Sequence, residues 1–182
     1  MQTPRSARAA LDGKPEAVRL LGRFEYFYVE EYPRVVALAY ALSGSRAGAE
    51  DIAQEAFLRA YRDWDRVGSY EHQAAWVRRV AANLATSWLR RRLVEARALT
   101  RLARRWEPTV EPLAGGDAQF WMAVRALPRR QAQVVALYYF QDLSVQQTAT
   151  ALGCAEGTVK AHLAKARRTL ARQLQPEPPE DR

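Results

Sequence analysis

The chain has 182 residues, room for one ordinary domain or two small ones, and its hydrophobic fraction of 48% is that of a chain that folds. A formal net charge of +8 points to a polyanionic partner, nucleic acid foremost, although the near-exclusive use of Arg also fits a GC-rich coding sequence. The single cysteine, Cys154, excludes an internal disulfide. No apolar run reaches the roughly 18 residues of a membrane span and Met1–Gly13 lacks a signal-peptide core, so the expectation is a cytoplasmic protein without membrane contact.

In chain order, residues 1–18 read as a flexible tail of Ala, Arg and Pro, followed by a first body over 19–95. Residues 96–117, with Pro108, Pro112, Gly115 and Gly116, read as a linker, 118–174 as a second body, and 175–182 as a disordered tail. Both bodies show helical rather than strand periodicity, so the fold class is all-α: two small helical domains on a flexible linker. Charge is uneven. Phe24–Arg66 holds eight acids against five bases, whereas Tyr70–Arg105 holds nine Arg against Glu71 and Glu95. That asymmetry suggests two kinds of partner, one of them not nucleic acid.

In the first body a helix is expected from about Glu50 to Trp64, burying Ala53, Phe57, Ala60, Tyr61 and Trp64. Its other face carries Asp51, Glu55, Leu58 and Arg62, with Gln54 at the edge. An apolar residue ringed by carboxylates suits a contact with a basic protein helix, while a lone exposed Leu is also ordinary. A second helix, about Gln73 to Arg92, has its core on Val77, Val80, Ala81, Leu84 and Trp88. Arg79, Asn83, Thr86 and Arg90 form a separate polar face with Trp76 beside it, and Gly68–His72 reads as a loop ahead of it. Arg for the backbone, an amide for a base edge and aromatics for stacking suit unpaired DNA. The loop, with Ser69, Tyr70 and His72, could wall an extruded base.

In the second body Leu127-Pro128 opens a helix, Ser144 caps a short one over Val145–Leu152, and Gly153 ends it in a left-handed conformation. The helix from about Glu156 to Leu174 puts Val159, Leu163, Ala166 and Leu170 on its core face. Gly157, Lys160, Ala161, Ala164, Lys165 and Arg168 lie broadly opposite, small at the start and basic further on. Short helix, Gly-containing turn, second helix is the helix-turn-helix pattern, with a plain basic hairpin as the bland alternative. His162 reads as a surface or phosphate-contact residue rather than a metal ligand, and Cys154 as a packing residue rather than a redox switch.

Three segments resemble the extracytoplasmic-function (ECF) sigma factors of the sigma-70 family. Ala49–Tyr61 resembles their core-polymerase-binding helix, Ala75–Ala85 their promoter-melting helix, and Leu127–Leu170 their minus-35-binding domain. The resemblance implies that Asp51, Gln54, Glu55, Leu58 and Arg62 meet the clamp helices of the large subunit of core RNA polymerase. It implies that Ser69, Tyr70, His72, Trp76, Arg79, Asn83, Thr86 and Arg90 hold the minus-10 element, duplex and then non-template single strand. Gly157, Thr158, Lys160, Ala161, Lys165 and Arg168 would contact the minus-35 element. The family is often held inactive by an anti-sigma factor, which nothing in these residues shows. Two departures stand out: Ala155 where the family often has a capping Ser, and Thr148 where an apolar residue is typical.

A helix-turn-helix regulator that binds DNA without polymerase is the first rival, but the first body lacks the alternating strands of a receiver or ligand-binding domain. A nucleic-acid enzyme is the second. Glu50, Asp51 and Glu55 are clustered, yet no P-loop, Cys/His pattern or nucleophile elbow accompanies them, so no catalytic residue, metal or cofactor is expected.

Overall fold

The computed structural model describes residues 23–102 and 118–174, and all its regular elements are helical. The expected tails, 1–18 and 175–182, lie outside these residues, as does residue range 103–117 of the expected linker. In the first half, α1 (Arg23–Ser43), α2 (Arg46–Arg62), the single turn α3 (Trp64–Val67) and α4 (Gln73–Leu102) form a bundle. The second half comprises α5 (Ala118–Ala126), α6 (Arg129–Val135), a π-helical turn (Ala136–Phe140), α7 (Val145–Leu152) and α8 (Glu156–Gln173).

Helix α2 begins four residues before the expected start, because Ser45 caps it: its hydroxyl accepts from the Gly48 amide at 3.2 Å. Gly48 lets α2 approach α4 closely, since a Cβ there would stand 2.8 Å from the Trp88 ring. That contact packs Trp88, half-buried, against the core. Helix α4 runs to Leu102, past the expected end near Arg92 and past the boundary at 95. The reason is local: Leu93 to Leu102 contains neither Gly nor Pro to stop the helix.

The core of the first half joins Val35, Leu38 and Leu42 of α1 to Ile52, Ala53 and Phe57 of α2 and Val77 and Ala81 of α4. An aromatic cluster closes its end, with Trp64 set edge-on to Phe24 at 5.0 Å and Phe27 5.7 Å from Phe57. Within the cluster, burial and the neighbouring Tyr32 raise the Tyr28 phenol above the usual tyrosine range. Between α1 and α4, Arg78 Nη2 donates to Glu31 Oε2 at 2.7 Å, a pair almost out of solvent.

In the second half, Pro128 stands one residue before α6, at the cap rather than inside the first turn, with an extended ψ of 139°. The apolar run after it is buried at Val134, Val135 and Leu137 and half-buried at Tyr138 and Phe140. Ser144 accepts from the Gln147 amide at 3.1 Å while the Gln147 side chain accepts from the Ser144 amide at 2.9 Å, a complete capping box for α7. Gly153 follows at φ 64°, ending α7 as expected. No helix among the described residues is long and apolar enough to cross a membrane.

The two halves pack against each other, and their buried apolar residues form one cluster. Arg125 Nη1 donates to the Ala41 carbonyl at 3.1 Å and Gln141 Nε2 to the Arg34 carbonyl at 3.2 Å, both crossing from the second half to α1. Burial lowers the Arg125 guanidinium below the usual arginine range.

Candidate nucleic-acid and protein interfaces

Along α2 the hydrophobic stripe Ile52, Ala53, Ala56, Phe57 and Ala60 turns inward and leaves the opposite face outside. On that face Asp51, Gln54 and Arg62 are exposed and Glu55 is half-exposed, accepting from Arg59 Nε at 2.8 Å. Leu58 stands among them 42% exposed. Tyr61, expected in the core, is instead 60% exposed. Its ring edge rests on Phe24 at 5.0 Å, which anchors the residue while leaving most of it in solvent. Trp64, also expected inside, is half-buried. The α2 face is therefore an acidic rim around two exposed apolar side chains one helical turn apart. This is the composition of a protein contact rather than a phosphate contact. Tyr61 is the member missed from the sequence: one turn after Leu58, its position at a helix flank was the available signal.

The loop before α4 is tied back to its neighbours at Gly68 and Ser69, whose hydroxyl donates to the Arg66 carbonyl at 2.7 Å. The Gly68 carbonyl accepts from Gln73 Nε2 at 2.7 Å and from Arg23 Nη2 at 3.0 Å, while Ser69, Tyr70, Glu71 and His72 stay exposed. Trp76 is half-buried on the core, with Arg79 and Arg90 exposed on the same helix. The rest of the expected strand-contacting face differs from the sequence reading. Thr86 is buried rather than presented on the surface, its hydroxyl donating to the Ala82 carbonyl at 2.8 Å. Gln133, fully buried on α6, lies over it: Gln133 Nε2 is 3.0 Å from Asn83 Oδ1, 3.2 Å from Thr86 Oγ1 and 3.2 Å from the Ala82 carbonyl. Arg129 Nη2 adds a 2.6 Å bond to the same Asn83 oxygen. Loss of hydration, then the nearby Arg130 and Arg90 charges, lower the Arg129 guanidinium from its usual range. Arg79 leans on the turn of the second half, where a Cβ on Gly153 would come within 2.7 Å of its Nη1.

On α8 the division into faces follows the sequence. Val159, Leu163, Ala166 and Leu170 are buried, whereas Gly157, Thr158, Lys160, Ala161, Lys165 and Arg168 are all exposed. Gly157 has open space where a side chain would stand, so a groove floor can approach the backbone there. Ala155 occupies the cap position at φ −71°, ψ 149° with no side-chain bond to the helix, as its methyl requires. His162 is half-buried rather than on the surface, with Nδ1 enclosed. Cys154 is half-buried and packs against the core. Thr148 is completely buried with an unpartnered hydroxyl.

The family profile described as Sigma-70 region 2 matches residues 27–95, and that described as Sigma-70, region 4 matches residues 117–170. The chain is 34% identical over 163 residues to the ECF RNA polymerase sigma factor SigM of Mycobacterium tuberculosis, covering 83% of this chain and 76% of that one. It is 30% identical over 156 residues to the RNA polymerase sigma-E factor of Streptomyces avermitilis, covering 83% and 87%. Against the "Probable RNA polymerase sigma factor RfaY" of Xanthomonas campestris it is 33% identical over 152 residues, but spans only 37% of that protein's length. Among solved structures, the sigma factor RpoE of Bartonella quintana, crystallised with the anti-sigma factor NepR, superposes with a TM-score of 0.63 at 25% identity, covering 85% of this chain and 98% of that one.

Proposed function

This chain belongs to the ECF group of the sigma-70 family, and from that premise we propose that it binds core RNA polymerase, selects promoters and opens them. The polymerase performs the chemistry and the chain supplies specificity. The observation that carries this reading is the coexistence of two exposed surfaces of opposite character. An acidic face with two apolar side chains lies on α2, and a basic face with a small-residue start lies on α8.

Work divides between residues 19–95 and 118–174. On α2, Leu58 is the apolar centre of the polymerase contact, Asp51, Gln54, Glu55 and Arg62 form its polar rim, and Tyr61 widens it. At the minus-35 element, α8 enters the major groove by its N-terminal end, with Gly157, Thr158 and Ala161 near the bases and Lys160, Lys165 and Arg168 on phosphates. At the minus-10 element, Arg79 and Arg90 hold the non-template backbone, Asn83 reads a base edge and Trp76 offers a stacking face. Ser69, Tyr70 and His72 border the extruded base. Unpairing costs a few kcal/mol per base, and stacking on an aromatic returns roughly 1–3 kcal/mol. Thr86 lies too deep to touch DNA in this arrangement.

Reconstitution with core polymerase tests the reading. The double variant Arg79→Ala, Asn83→Ala should still bind polymerase yet form no open complex by permanganate footprinting. Transcription that survives this change would remove the strand-opening role from this face.

A further inference from the structure

Helix α8 carries more positive charge than its surroundings offset. Its acid is Glu156, against Lys160, Lys165, Arg167, Arg168 and Arg172. Arg167 is engaged by Tyr139: its Nε donates to the phenol oxygen at 2.7 Å and its guanidinium lies over the ring. The other four cations are exposed, and their side chains have no ion pair or hydrogen bond among the described residues. Lys165 stands three residues before Arg168, and Arg168 four before Arg172, so like charges crowd successive turns of one face. A nearby anion is therefore favoured on this face even without DNA.

The residues that follow α8 supply that anion. Within 175–182 the acids Glu177, Glu180 and Asp181 outnumber the one base, Arg182. Pro176, Pro178 and Pro179 oppose a continuation of α8 that would carry the acids away along its axis. The reach is sufficient. Asp181 is seven residues past Leu174, about 22 Å of chain at roughly 3.1 Å per residue. Lys165 is nine residues before Leu174, about 14 Å back along the helix. We infer that Glu177, Glu180 and Asp181 dock on Lys165, Arg168 and Arg172 as an internal stand-in for DNA phosphates, which any duplex must displace. The inference rests on the DNA-reading role proposed above for α8. Random duplex and a minus-35 element lose the same factor of affinity, because both need these cations. Base contacts keep the specific complex usable, whereas random duplex has phosphate contacts alone and falls out of range. The segment thus holds the free chain off bulk DNA.

Three full-length proteins test this: the parent, the neutral variant Glu177→Gln, Glu180→Gln, Asp181→Asn, and a relocated variant. The last combines the neutral substitutions with Gln2→Glu, Thr3→Glu and Ser6→Asp, which restores the parent net charge. Fluorescence anisotropy measures binding to a random-sequence duplex across a sodium chloride series. The neutral variant should bind about five- to tenfold tighter than the parent at low salt, since three exposed pairs each contribute roughly twofold. The gap should close as salt screens the acids from the helix. The relocated variant should bind like the neutral one. Equal binding by parent and neutral chains, or relocated chains that bind like the parent, overturns the docking. Amide chemical shifts of α8 in the DNA-free proteins give a second reading. They should differ between parent and neutral chains at low salt and converge in high salt, and identical low-salt shifts overturn the docking. Failure of all three proteins to bind duplex at low salt would instead strike the DNA role of α8, leaving the DNA-free shifts to decide the docking on their own.

Discussion

Removing Glu31 should destabilise the first half sharply. Its carboxylate receives Arg78 at 2.7 Å and Arg34 at 3.1 Å, and the Glu31 and Arg78 side chains are only 9% and 11% exposed. Arg34 is 61% exposed, so its share is small. Arg78 is the consequential partner: its Nε already lacks a bond, and without Glu31 the guanidinium would be a nearly buried charge with no counter-ion. Breaking a buried pair from one side costs about 3–5 kcal/mol. Both residues line a groove between the halves that water can enter, which favours the low end, about 3 kcal/mol for Glu31→Ala. At roughly 2–4 °C per kcal/mol for a chain of this size, Tm should fall by about 6–12 °C. Thermal unfolding followed by far-ultraviolet circular dichroism measures this. The double variant Glu31→Leu, Arg78→Leu should recover much of the loss, because it buries no lone charge. A single variant within about 2 °C of the parent, on that same scale, would refute the reasoning by showing that water already solvates the pair.

Two stabilising substitutions should come from the departures in the second half. Ala155→Ser supplies the missing cap hydroxyl of α8 and should add about 1 kcal/mol, read as a higher urea midpoint at unchanged slope. Thr148→Val replaces a buried, unpartnered hydroxyl with a methyl of similar shape and should raise stability by about 1 kcal/mol in the same assay.

Much of this architecture was legible in the chain because its signals are local. Ser144, Gln147 and Gly153 fix both ends of α7 within ten residues, and the spacing of Val159, Leu163, Ala166 and Leu170 fixes the inner face of α8. The coverage of Asn83 and Thr86 was not legible, because it depends on Gln133, about fifty residues away, and no periodicity links the two. Tyr61 was misplaced for a related reason. A helical wheel assigns a direction, whereas an aromatic ring can rest its edge on Phe24 and leave its face in solvent. The π-helical turn at Ala136–Phe140 also escaped, since an apolar run looks the same in either winding. The full length of α4 is hidden because the linker reading takes Ala96–Leu102 together with the Pro- and Gly-containing stretch beyond, although these residues carry no helix breaker of their own.

The most direct test of the central claim is native co-purification of the tagged full-length chain with core RNA polymerase, repeated with Leu58→Asp. Leu58 is exposed and outside the core, so the variant should fold, and its circular dichroism spectrum checks that. The account predicts that the parent chain retains polymerase and that a third acid on the acidic face abolishes retention. A parent chain that binds DNA but never polymerase, or a folded variant that retains polymerase undiminished, would contradict it.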